Sequence, residues 1–94
     1  MKGLIATALM ILSGSAGAAN DCTYAAQVAR AIMETRQSGV SIIKSMEIAK
    51  DSEAVKAMVL MAYEKPRFSS DRYQAEAASD FETEIYLICV GGNR

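Results

Sequence analysis

The sequence predicts an all-α protein, a small up-down bundle of about four helices in which one disulfide joins the first helix to the last. Three observations support this fold class. After the first nineteen residues, apolar side chains recur at intervals of three and four, the period of an amphipathic helix. The alternation typical of half-buried strands is absent from the sequence. The chain has one proline, and its two cysteines, Cys22 and Cys89, lie near the two ends of the periodic region.

Residues 1–19 have the organisation of a secretory signal peptide. Lys2 supplies a positive charge, an apolar run extends from Leu4 to Leu12, and the residues that follow are small. The apolar run would span about 14 Å as a helix, whereas the hydrocarbon core of a bilayer is about 30 Å thick. We therefore expect cleavage before Ala19 or Asn20, no permanent membrane span, and a periplasmic or secreted protein.

The two cysteines are expected to form a structural disulfide. Exported proteins fold in an oxidising compartment, and Cys22 with Cys89 is the one pairing that two cysteines allow. Redox-active pairs are normally close together in sequence, as in C-x-x-C, and this pair is not.

The first half of the folded domain, which we expect to span residues 20–89, contains two predicted helices. Asn20 or Asp21 can cap the first, and Gly39 is expected to end it. Its apolar stripe comprises Cys22, Ala25, Val28, Ala29, Ile32 and Met33. Ser41 can cap a short second helix, whose apolar positions are Ile42, Ile43, Met46 and Ala49.

The second half contains two more predicted helices. The third runs from Glu53 to Tyr63, because Pro66 disfavours helical geometry at the residue before it; its apolar face comprises Val55, Met58, Val59 and Ala62. The fourth begins near Asp71, which is spaced from Gln74 as in a capping box. Its regular stripe, with Phe81 as the expected core anchor, comprises Ala78, Phe81, Ile85 and Ile88. Residues 90–94 have no periodicity and are predicted to form a frayed tail.

Composition excludes several functional classes. Without histidine, the common Ser-His-Asp and Cys-His hydrolases are excluded. Two distant cysteines cannot supply the ligands of a structural zinc site. With a net charge of −1, the chain has no excess positive charge to attract a phosphate backbone, so nucleic acid is not an expected partner. We expect no catalytic residue, no metal site and no cofactor.

Acidic residues of the fourth predicted helix recur at intervals of four. Glu76, Asp80 and Glu84 share one helical face, and Arg72 lies one turn before them. The stripe could bind a cation or a substrate, but charges at this spacing are more often the solvated face of an amphipathic helix. We favour the solvated face.

The connection between the third and fourth helices contains the candidate partner-binding residues, which are Lys65, Pro66, Arg67, Phe68, Arg72 and Tyr73. Arginine and aromatic side chains in a stiff loop are enriched among the residues that dominate protein interfaces. The competing interpretation is structural, with the aromatic rings packed on the bundle end and the arginines paired with carboxylates. The sequence favours the structural interpretation and leaves partner binding open.

Several stretches resemble small exported proteins of unassigned function from proteobacteria, prophages and phages. They are Cys22-x-Tyr24, Arg36-Gln37-x-Gly39-Val40-Ser41, Ala62-Tyr63-Glu64-x-Pro66-Arg67-Phe68-Ser69, Asp80-Phe81 and Tyr86-Leu87-x-Cys89. The resemblance implies a bacterial or phage setting and carries no catalytic assignment. In size and build the chain is also similar to acid-stress periplasmic chaperones and to phage inhibitors of lysozyme.

The sequence thus predicts a non-enzymatic exported protein, a monomer or weak dimer, that binds another protein of the cell envelope. Three alternatives remain. They are an inhibitor of a phage or host cell-wall hydrolase, an acid-stress periplasmic chaperone, and a small hydrolase that uses carboxylates.

Overall fold

The computed structural model describes residues 21–91, which form four helices and contain no strand. Helix α1 covers residues 21–37, and the other three are α2 (Ile42–Ile48), α3 (Glu53–Glu64) and α4 (Asp71–Gly91). This architecture confirms the predicted all-α bundle. The predicted signal peptide, residues 1–19, and both predicted cleavage positions lie outside the described residues.

Gly39 terminates helix α1 just after its last residue, as predicted. Gly39 has a φ of +92°, a conformation that side chains with a Cβ rarely adopt. Its N–H donates to the carbonyl of Arg36 at 3.1 Å, and the N–H of Val40 donates to the carbonyl of Thr35 at 3.3 Å. These two bonds form a Schellman motif, which satisfies carbonyls that the helix end would otherwise leave free.

Serine hydroxyls cap the other three helices. Ser41, Ser52 and Ser70 accept hydrogen bonds at 3.2 Å from the backbone N–H groups of Lys44, Val55 and Tyr73, respectively. The prediction for Ser41 is confirmed.

The predicted capping box of α4 is wrong. Ser70 is the cap and Asp71 is the first helical residue. The Gln74 amide donates to the carbonyl of Phe68 at 2.7 Å and does not return to the N–H of the cap. Helix α4 extends through Val90 and Gly91, two residues beyond the predicted start of the tail, and residues 92–94 lie outside the described part.

The core lies where α1, α3 and α4 meet. Its buried cluster comprises Ala29, Met33, Ala62, Ala78, Phe81 and Ile85. Phe81 is among the largest fully buried side chains, in agreement with its predicted role. Ile88 was expected in the same stripe but is 53% exposed. Cys89, four residues after Ile85, takes the inward position for the disulfide, and a helix turns Ile88 about 100° away from it.

Helices α1 and α4 pack antiparallel and are joined by a disulfide and by an ion pair. The disulfide between Cys22 and Cys89 closes one end, with its Cα atoms 5.6 Å apart, and confirms the predicted pairing. About two helical turns from the disulfide along α1, Arg30 Nη1 donates to Glu82 Oε1 at 2.9 Å. The first and last helices are therefore held in one register.

The inner face of α2 differs from the predicted one. Ala49 is buried as expected, but the other buried residue is Ser45, while Ile42 and Ile43 are exposed. The Tyr63 hydroxyl donates to the carbonyl of Val40 at 2.7 Å. Because that hydroxyl has a single proton, Ser45 donates to it across 2.8 Å. The inner side of α2 therefore makes a polar contact with α3 at a position that the predicted apolar stripe did not include.

Within residues 21–91, no helix is both long enough and apolar enough to cross a membrane.

Phe81→Ala should lower the free energy of unfolding by about 3–5 kcal/mol, because it removes the largest buried side chain and leaves a cavity. Chemical denaturation measures the change. Leu87→Ala, on the exposed side of the same helix, is the matched control and should change stability by less than about 0.5 kcal/mol. Equal effects of the two substitutions would contradict the assigned core.

Cys89→Ser should cost about 2–5 kcal/mol, because the bridge joins residues that are 67 apart in sequence and restricts the unfolded chain. Thermal or denaturant unfolding of the oxidised protein and the variant gives the difference. A variant as stable as the oxidised parent would show that α1 and α4 hold their register without the bridge.

Candidate partner-binding surface

The predicted partner-binding residues occupy the connection between α3 and α4 and the first turn of α4. The connection, residues 65–70, passes over the carboxyl end of α1 and is hydrogen-bonded to it. The structure brings the predicted residues together but divides them into two groups, one that supports the loop and one that faces outward.

Gln37, in the last turn of α1, bonds the loop through both ends of its side-chain amide. The oxygen accepts the N–H of Phe68 at 2.8 Å, and the nitrogen donates to the carbonyl of Pro66 at 2.9 Å and to Met33 Sδ at 3.4 Å. Only 2% of Gln37 is exposed. The buried amide therefore satisfies two backbone groups of a loop that has no regular structure of its own.

Arg67 is bound to the same end of α1. Its Nε donates to the backbone carbonyl of Gln37 at 3.0 Å, and its guanidinium lies over Gly39. A Cβ at position 39 would be 2.9 Å from Arg67 Nη2. Gly39 therefore allows both the turn and the close approach of the arginine. Arg67 has a structural role, since it links the loop to the end of α1.

Lys65 is held from two sides. Arg36 Nη2 donates to the backbone carbonyl of Lys65 at 3.2 Å, and the Arg36 guanidinium carbon lies 5.1 Å from the Tyr63 ring centroid. The Lys65 ammonium forms a 2.8 Å ion pair with Glu84 and lies 5.9 Å from the centroid of the Phe81 ring. Lys65 and Pro66 thus position the loop, as does Arg67.

Phe68, Arg72 and Tyr73 form the outward group, which we call the aromatic patch. Phe68 is 37% and Tyr73 53% exposed, with ring centroids 6.0 Å apart and ring planes inclined by 43°. The Arg72 guanidinium carbon lies 5.9 Å from the Tyr73 centroid, and its Nε donates to Glu76 at 3.2 Å. The patch presents two rings and a cation beside a carboxylate.

The acidic stripe of α4 is partly neutralised by the same residues. Glu76 pairs with Arg72, and Glu84 pairs with Lys65. In the described part of the chain, no group of three or more histidine, cysteine, aspartate or glutamate side chains could hold a metal ion. The geometry favours the interpretation of this stripe as a solvated, ion-paired helix face.

Sequence reasoning missed Gln37, the residue that organises the loop. One signal was present, because Gln37 lies four residues after Met33 and so continues the apolar stripe of α1 with a polar side chain. A polar residue on a buried stripe requires partners. The pattern could have identified the position, but not the loop that supplies the partners.

Comparison of the chain with protein-family models, with curated proteins and with solved structures finds no match.

Gln37→Ala should cost about 2–3 kcal/mol of folding stability, because the N–H of Phe68 and the carbonyl of Pro66 both lose their partner. Denaturant unfolding measures the loss. Gln27→Ala, at an exposed position of the same helix, is the matched control and should be near neutral. If Gln37→Ala is equally mild, the amide does not hold the loop.

Proposed function

We propose that this chain is an exported, non-enzymatic protein that binds another protein of the cell envelope, and that the aromatic patch is part of the contact. The observation that carries the proposal is a contrast between the loop of residues 65–70 and the side chains exposed at its end and in the first turn of α4. Its backbone and its first three residues are engaged with α1 and α4, while the side chains of Phe68, Arg72 and Tyr73 are left outside.

A loop held in this way is suited to binding. Rings on a preorganised backbone lose little conformational freedom when a partner covers them, so more of the gain from their burial is kept as affinity. Tyrosine and arginine are also enriched among the residues that dominate binding energy. Phe68 and Tyr73 already touch each other, so a partner would meet a preformed surface.

The Arg72 guanidinium adds a positive charge to this apolar surface, which can orient a partner that carries a carboxylate. It is exposed, and its one ion pair, with Glu76, is a surface pair that contributes little to stability. A carboxylate on a partner could therefore replace Glu76 at small cost. The proposed partner surface combines an apolar site for the rings with an acidic group.

The export part of the proposal has separate support. The signal-like sequence of residues 1–19 and the disulfide of the folded domain both suit an oxidising compartment. The resemblance to exported bacterial and phage proteins agrees with this location.

The proposal is tested by site-specific crosslinking in intact cells. A photoreactive phenylalanine derivative replaces Tyr73 in one variant and Tyr24, an exposed tyrosine near the disulfide end of α1, in another. We expect a discrete adduct with one envelope protein from position 73 and none from position 24. The intact mass of the recovered chain should match a start at Ala19 or Asn20.

Binding to the identified partner is then measured with purified proteins. Tyr73→Ala should weaken binding by at least about fivefold with unchanged thermal stability, while Tyr24→Ala should leave both unchanged. Adducts from position 24 alone, or equal affinity of the Tyr73→Ala variant, would place the contact elsewhere.

A further inference from the structure

The outward face of α2 is unusually apolar for a solvent-exposed surface. Ile43 is 74% and Ile48 is 76% exposed, the highest values among the large apolar residues of the described chain. Lys44 and Glu47 are also exposed. Removing an isoleucine side chain from water lowers the free energy. Burial of Ile43 and Ile48 by a partner would therefore stabilise the complex.

These four residues form one continuous surface, which we call the α2 face. On a helix of 3.6 residues per turn these positions fall within an arc of about 140°, with Lys44 and Glu47 near its middle and the two isoleucines at its edges. The opposite side of α2 carries the buried Ser45 and Ala49. Most of the α2 face therefore points away from the bundle, while Ile48, at its edge, also borders an open cavity that Val28 and Ile32 of α1 line.

The order of residues on the α2 face is self-complementary. Read forwards it is Ile43, Lys44, then Glu47, Ile48; read backwards it is again apolar, charged, charged, apolar, with the charge signs exchanged. Two antiparallel copies of α2, related by a two-fold axis midway between residues 45 and 46, would place each Ile43 level with an Ile48, at the edges of the contact. The same axis would place each Lys44 opposite a Glu47.

Neither charge of this pair forms an ion pair within the described part of the chain. Among residues 21–91, no salt bridge includes Lys44 or Glu47, although the nearby Lys56 pairs with Glu53 at 2.7 Å. In an isologous contact, a residue that meets a second residue is met by it in turn, so one complementary pair occurs twice.

We propose that the α2 face binds a second copy of this chain, in a two-fold dimer with α2 antiparallel to α2. The occupant is assigned from the charge pattern, because a face that complements itself under a two-fold rotation is matched by an identical face. Helix α2 is only about 10 Å long, less than a standard interface requires. The half-exposed Leu60 of α3, one turn from Lys56 beside α2, can extend the contact. The dimer is consequently weak and depends on concentration.

The first experiment is sedimentation equilibrium of the disulfide-bonded protein, produced from the full-length gene. Its average mass should rise toward that of two chains between about 10 µM and about 1 mM. Lys44→Glu and Glu47→Lys each place like charges opposite one another twice, and each should weaken association at least about fivefold. A chain that stays monomeric throughout this range overturns the proposal.

The decisive measurement mixes the two single variants. In a mixed dimer, the two carboxylates of the Lys44→Glu chain face the two ammonium groups of the Glu47→Lys chain, so association should return to the wild-type level. The double variant with both changes should also self-associate as the wild type does. These substitutions are at exposed positions, and circular dichroism melting checks that every variant is folded.

A charge change away from α2 is the control. Asp80→Lys, on the exposed side of α4, alters the net charge as Glu47→Lys does and should leave association unchanged. An effect of Asp80→Lys equal to that of Glu47→Lys, or no recovery on mixing, shows that general charge repulsion or another surface governs association. The α2 face does not overlap the aromatic patch, so failure of this test leaves the proposed function standing, and the reverse also holds.

Discussion

The antiparallel contact between α1 and α4 is the constraint on which the other parts of the molecule depend. One end is closed covalently by Cys22 and Cys89, and the other is fixed by hydrogen bonds from Gln37 to the residues just before α4. Between these ends, Met33, Ala78 and Phe81 pack in one buried cluster. Because both ends are fixed, a shift of one helix along the other would break bonds of two different kinds.

This constraint matters because the apolar core is small. Half of the buried cluster is alanine, which lets helices approach closely but removes little apolar surface from water. Small domains bury a smaller share of their surface and are correspondingly marginal. The disulfide acts on the unfolded chain, and Gln37 satisfies polar groups that would otherwise oppose folding of the loop. Each supplies stability that a larger core would have provided.

The fold could be predicted because its signals are local. The helical period, the cap at Ser41 and the stop at Gly39 each involve residues within one or two turns of one another. The two-cysteine pairing needed no geometry at all. Two of the errors arose where a contact between residues distant in sequence decided the outcome. Cys89 takes the inward position for the disulfide and Ile88 is exposed, and Ser45 faces Tyr63 on the inner side of α2. Neither contact leaves a periodic trace in the sequence.

The candidate site was predicted as one unit, and residue type alone could not divide it. Lys65, Arg67, Arg72 and Tyr73 all have the chemistry of interface residues, but the first two have their partners on α1 and α4. What separates the two groups is the position of Gln37 and Gly39, about thirty residues away in the chain. The loop could be located from sequence, but its division required the structure.

The same division explains how a small domain can combine a rigid fold with an adaptable surface. The backbone groups of Lys65, Pro66 and Phe68 are bonded within the molecule, so the conformation of the loop does not depend on which side chain is exposed at position 73. Substitutions in the aromatic patch can therefore alter binding with little effect on folding, whereas substitutions at Gln37 or Gly39 act on the fold first. On α2, by contrast, only the inner face carries bonds to the bundle, through Ser45. Its outward isoleucines are largely exposed, so substitutions there should change the affinity of association more than the stability of the fold.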